Sequence, residues 1–74
     1  MSPDKLVRMV NQIAAFFRSQ DEASAPAMVA DHLEKFWEPR MRKAIVAHGR
    51  AGGSGLDPIA ARAVMLLAEG AGGS

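Results

Sequence analysis

The sequence predicts an all-α fold, a small bundle of three to four short helices whose packing order is left open, on three observations. Apolar residues recur at helical spacing in four segments. The four prolines, Pro3, Pro26, Pro39 and Pro58, each fall at the start of such a segment. No stretch alternates apolar and polar residues as a half-buried strand does.

Ser2-Pro3 opens the first helix, with Ser2 to cap free N–H groups, Pro3 at the first helical position and Asp4 complementing the dipole. Leu6, Met9/Val10, Ile13 and Phe16/Phe17 then form an apolar stripe over residues 3 to 19. Phe16 and Phe17 lie about 100° apart on a helix, so together they widen its apolar face. The polar stretch "SQDEASA" ends this helix. A second begins at Ser24 or Ala25, ahead of Pro26, and repeats Val29, Leu33 and Phe36 on one side. It is expected to stop near Trp37, because Pro39 disfavours helical dihedrals at Glu38. On this stripe Phe36 is a core residue, whereas Trp37, about 100° away, is partly exposed.

Pro39 starts the third helix, which carries Met41, Ala44, Ile45 and His48 on one side and ends at Gly49 as its cap. Residues 49–56 read as a flexible glycine-rich connector. Asp57-Pro58 caps and starts the fourth helix, with Ala60/Ala61, Val64 and Leu67/Ala68 as its stripe. Residues 1–70 thus form one small helical domain, and 71–74 a flexible tail.

Seventy-four residues make at most one domain, and a single core of that size is marginal without a disulfide, metal or partner. The absence of cysteine excludes disulfides and thiolate metal sites and fits a cytoplasmic location. Nine basic and eight acidic residues, net +1, are too balanced for bulk attraction to nucleic acid or an anionic membrane. "MSPDKLVRMV" lacks the uninterrupted apolar run of a signal peptide, and no run approaches the roughly 20 residues of a membrane span. A hydrophobic content of 49% leaves apolar surface for a partner.

Chemistry is hard to find. His32 and His48 have no H-x-x-x-H or H-E-x-x-H spacing, so ordinary structural or surface roles are expected of them. "GRAGGSGLDP" lacks the lysine of a phosphate loop, Pro58 stands where G-x-G-x-x-G needs its third glycine, and Leu56 breaks a G-x-S-x-G elbow. No Ser/His/Asp set or carboxylate pair can be specified, and so short a chain is not expected to enclose a pocket of about 300 Å3. No catalytic, cofactor or metal residue is assigned. Arg40, Arg42, Lys43 and Arg50 leave open a small nucleic-acid-binding helical regulator. Glu34 and Glu38 alongside favour a solvated face or salt bridges instead. Trp37 with Arg40 and Arg42 has the composition of a protein-binding hot spot, and equally of an intramolecular corner.

Three blocks sharpen this reading: "KLVRMVNQIAAFF" (5–17), "VADHLEKFWEPRMR" (29–42) and, more weakly, "GGSGLDPIAARAV" (52–64). Over nearly the whole chain they resemble the delta subunit of bacterial NAD-dependent, molybdenum-containing formate dehydrogenase. Glu38 and Val10 stand where that family is expected to carry aspartate and alanine. The resemblance implies a non-catalytic accessory subunit of a cytoplasmic complex that oxidises formate to carbon dioxide, supporting its assembly, maturation or stability. It implies that molybdenum pterin, iron–sulfur clusters, FMN and the NAD site belong to other subunits. The partner it points to is the large molybdenum-binding subunit, and a transient chaperone for cofactor insertion is the alternative. Of the matching positions, Asn11 and Gln12 in the first block and His32, Leu33, Phe36, Trp37, Pro39, Arg40, Met41 and Arg42 in the second, all but Leu33 become the expected partner-binding residues, centred on a docking corner at Pro39.

Overall fold

The computed structural model describes residues 2–72, and among them it contains four helices and no strand: α1 (Pro3–Gln20), α2 (Ala25–Phe36), α3 (Pro39–Arg50) and α4 (Pro58–Gly72). Each start follows from the local sequence. The Ser2 hydroxyl accepts from the Lys5 N–H at 3.4 Å, and Pro3 takes the first position, where its missing N–H costs nothing. Between α1 and α2, Asp21 accepts from the Ala23 N–H (3.2 Å) and the Ser24 hydroxyl (3.0 Å), ordering the polar turn. Asp57 Oδ1 accepts from the Ala60 N–H at 2.8 Å, capping α4 as its sequence implies. α4 is described to Gly72, so it runs into the stretch expected as a tail, while Gly73 and Ser74 lie outside the described residues.

The core follows a different geometry from the straight stripes of the sequence. In α2 the fully buried residues are Ala25, Val29 and Leu33, stepping by four, and in α1 Leu6, Val10 and Ala14 do the same. Residues four apart lie about 40° past alignment, so such a row winds gradually around its helix. This winding ridge is what helices crossing at an angle bury against each other. Val7 and Val46 enter the core although neither lies on the expected stripes, while Ala44, expected inside, is exposed. On α4 the small Ala60, Ala63 and Ala68 are buried with Val64 and Leu67, and α2 packs most extensively against this helix.

Gly49 corrects an expectation. It lies inside α3, not at its cap, and a Cβ there would meet Val64 Cγ1 at 2.7 Å. Glycine at this position lets α3 lie directly on α4. The helix ends two residues later in a Schellman arrangement: the Gly52 N–H donates to Gly49 O (3.2 Å) and the Gly53 N–H to His48 O (2.9 Å). Gly52 has φ 119°, a region side chains rarely adopt. The connector that follows is bonded to the helices around it. Asn11 Nδ2 donates to Gly55 O (2.9 Å), Asn11 Oδ1 accepts from the Asp57 N–H (3.0 Å), and His48 Nε2 donates to Ser54 O (2.8 Å). Its backbone polar groups are thereby matched to α1 and α3 rather than left to water alone.

Candidate docking surface

The α2–α3 corner is where the most distinctive residues of the sequence gather. α2 stops where Trp37 (φ −88°, ψ 141°) and then Glu38 (φ −64°, ψ 152°) turn extended, and at Glu38 this avoids the clash that Pro39 makes with a helical residue before it. The Trp37 N–H still donates to Leu33 O at 3.0 Å, closing the last turn. Arg42, in the first turn of α3, reaches back with Nη1 to the carbonyls of Glu34 (3.2 Å) and Trp37. These are the end carbonyls that a finished helix leaves without internal partners. One guanidinium therefore satisfies the end of α2 and sets the angle at which α3 departs.

Here the expected roles of two neighbours are exchanged. Trp37 is 6% exposed and belongs to the core, whereas Phe36 is 72% exposed. The sequence reading placed Phe36 inside because it sits seven residues after Val29, about 20° from alignment with it. The buried row, however, advances by fours through Ala25, Val29 and Leu33, and its next step is Trp37. At the end of α2, Phe36 is about 100° off that row and faces solvent.

Phe36 is not alone there. Its ring lies 4.8 Å from the His32 ring, His32 lies 6.0 Å from Phe17, and Phe17 lies 5.3 Å from Phe16 in an edge-to-face pair. Phe16 is 59% exposed, while Phe17 and His32 are half-buried. The end of α1 and the end of α2 thus build one aromatic row, partly open to water, from residues of the first two sequence blocks. In the sequence alone Phe16 and Phe17 only widen the apolar face of α1.

The expected partner-binding residues therefore divide. Asn11, Trp37 and Arg42 are committed to contacts within the chain, through the connector, the core and the α2 terminus respectively. Gln12, Phe36, Pro39 and Arg40 are exposed, and His32 and Met41 half-buried. Arg40 and Lys43 are exposed, so of the two expected arrangements, a solvated face or salt bridges with Glu34 and Glu38, the solvated face is the one present. Among the described residues the one ion pair is Lys35–Asp31 at 3.0 Å, on the exposed face of α2.

Among the described residues no three His, Cys, Asp or Glu side chains gather as metal ligands do. His48, one of the two histidines, holds the Ser54 carbonyl instead. A surface groove of about 370 Å3 does exist on α3, larger than expected for so short a chain, but it is open and lined by cations and apolar side chains. No described helix is long and apolar enough to cross a membrane.

The sequence model of one family, described as NADH-dependant formate dehydrogenase delta subunit FdsD, matches residues 5–64. That span contains both aromatic contributors, the corner, the connector and the first half of α4. No curated protein and no solved structure gives a significant match.

Proposed function

The chain belongs to the formate dehydrogenase delta subunit family, and from that premise we propose that it is a non-catalytic accessory subunit that docks on the complex through its aromatic face. The observation carrying this reading is the convergence of Phe16, Phe17, His32 and Phe36 on one side, where Phe16 and Phe36 stand exposed while Phe17 packs against the core. Large aromatic rings left in water are costly, and covering one fully is worth roughly 1.5–3 kcal/mol. A partner that covers Phe16 and Phe36 supplies that energy and excludes water from the row.

The occupant is the large molybdenum-binding subunit, and the site of action is the cytoplasm. Molybdenum pterin, iron–sulfur clusters, FMN and NAD are held by the other subunits. This chain has no cysteine to ligate a cluster, and its glycine connector turns its backbone toward Asn11 and His48 rather than toward a phosphate. What the chain contributes is a small preformed apolar surface. It supports assembly, maturation or stability of the enzyme by holding one arrangement of its partner. Binding in turn favours the folded form of a domain whose own core is small.

The test is co-expression of a tagged chain with the remaining formate dehydrogenase subunits, followed by affinity capture and mass spectrometry. The large subunit is expected in stoichiometric yield with the purified active enzyme. A tagged chain that retains no formate dehydrogenase subunit overturns the reading. Full activity after the chain has been stripped away assigns it to transient maturation instead of a structural place.

A further inference from the structure

A second surface lies on α3, around the corner from the aromatic row. Pro39, Lys43, Val46, Ala47 and Arg50 recur at spacings of three and four and so share one face of the helix. With Arg42 and with Leu67 of α4 they line the open groove of about 370 Å3. Its floor is apolar, since Val46 and Leu67 belong to the core and reach the groove only by their edges. Its rim carries three cations and no carboxylate.

Among the described residues none of the three cations has an ion-pair partner. The single ion pair among the described residues involves neither Arg42, Lys43 nor Arg50. Arg42 hydrogen-bonds only to backbone carbonyls, which satisfy N–H groups but leave the positive charge in place. Lys43 and Arg50 are seven residues apart, so their Cα atoms are separated by about 10 Å along α3. An apolar strip flanked by positive charge at that distance is complementary to a segment with an apolar side chain between two acidic ones.

We propose that this groove binds an acidic, amphipathic segment of a neighbouring formate dehydrogenase subunit. Apolar side chains of the segment cover Val46, Ala47 and Leu67, while its carboxylates pair with Lys43 and Arg50. The proposal rests on the accessory-subunit reading and adds to it a second contact and the chemistry of what fills it. A nucleic acid fits the groove less well. A phosphate backbone makes no use of an apolar floor, and three cations on a chain of net +1 form no extended basic track.

The experiment compares capture of the co-expressed complex by the tagged wild-type chain, by Lys43→Glu/Arg50→Glu, and by Arg62→Glu, an exposed α4 residue outside the groove lining. The double reversal is expected to retain at least about tenfold less of the partner subunit, with Arg62→Glu close to wild type. Because Lys43 and Arg50 are exposed, helicity by circular dichroism is expected to be unchanged. A photo-reactive residue at position 47 is expected to cross-link an acidic stretch of that subunit. Undiminished capture by the double reversal overturns the groove while leaving the accessory reading intact. Cross-links to nucleic acid or to a second copy of this chain overturn it as well. A wild-type chain that captures no formate dehydrogenase subunit overturns both.

Discussion

Phe36 and Trp37 are adjacent, both large and aromatic, and they meet opposite fates. Trp37 is sealed into the core at the point where α2 ends, whereas Phe36 lies open beside His32 and extends a row of rings from α1. Hydrophobicity does not separate them, because both would be buried on that ground alone. Position relative to a winding contact row does. Trp37 sits at the break itself, as the extended C-cap of α2. The pair shows that this corner has an inside that builds the chain and an outside free for another molecule. A residue's size does not tell which side it serves.

The comparison can be broken first at its buried member. Trp37→Ala is expected to cost about 3–5 kcal/mol, as deletions of buried aromatic rings do, and in so small a domain to abolish cooperative folding. Urea denaturation followed by circular dichroism measures it. Stable folding of this variant would mean that the corner does not depend on the indole.

Next comes the guanidinium that closes the same corner. Arg42→Ala removes two charge-assisted bonds to the α2 terminus and is expected to lose about 2 kcal/mol in the same measurement. Arg42→Lys is expected to recover only part of it, since Nη1 makes both bonds and the lysine ammonium ends one bond short of that nitrogen.

Away from the corner, Asn11→Ala frees both ends of the connector clamp and is expected to cost about 1–2 kcal/mol, read as a lowered Tm. Hydrogen exchange should quicken at Asp57 N–H, the amide whose acceptor is lost. Unchanged exchange there would show that the connector holds its shape without Asn11.

The smallest effect on stability is expected on the outer face, where it sharpens the contrast most. Phe36→Ala is predicted to shift unfolding by no more than about 0.5 kcal/mol, because the ring is largely in water. Capture of the complex is expected to fall about tenfold or more with the same substitution, as for a ring at the centre of an interface. A Phe36→Ala chain that binds as well as wild type would remove the aromatic face from the docking surface.

Much of the scaffold was legible because its signals are local. Pro3, Pro39 and Pro58 begin helices where they were expected to, since fixed φ and a missing N–H act within one turn. Asp57 caps α4 for the same kind of reason. Gly49 was misread because its purpose is a contact with Val64, fifteen residues away, which no local pattern records. The connector was read as flexible because its partners, Asn11 and His48, lie on other elements. At the docking surface, the residues were visible as sequence blocks, but which of them face outward was not.

By itself, then, the sequence determined the all-α class, the helix starts, the absence of thiolate chemistry and membership of the delta subunit family, all properties carried by short-range geometry, composition or pattern. The tertiary structure alone decided that Trp37 goes in and Phe36 stays out, that Arg42 serves the α2 terminus, and that Phe16 and Phe17 join His32. The physical reason is the crossing of the helices. Helices packed at an angle bury a row that winds around each axis, and the winding depends on how neighbours lie across one another, a quantity set between elements and not within them.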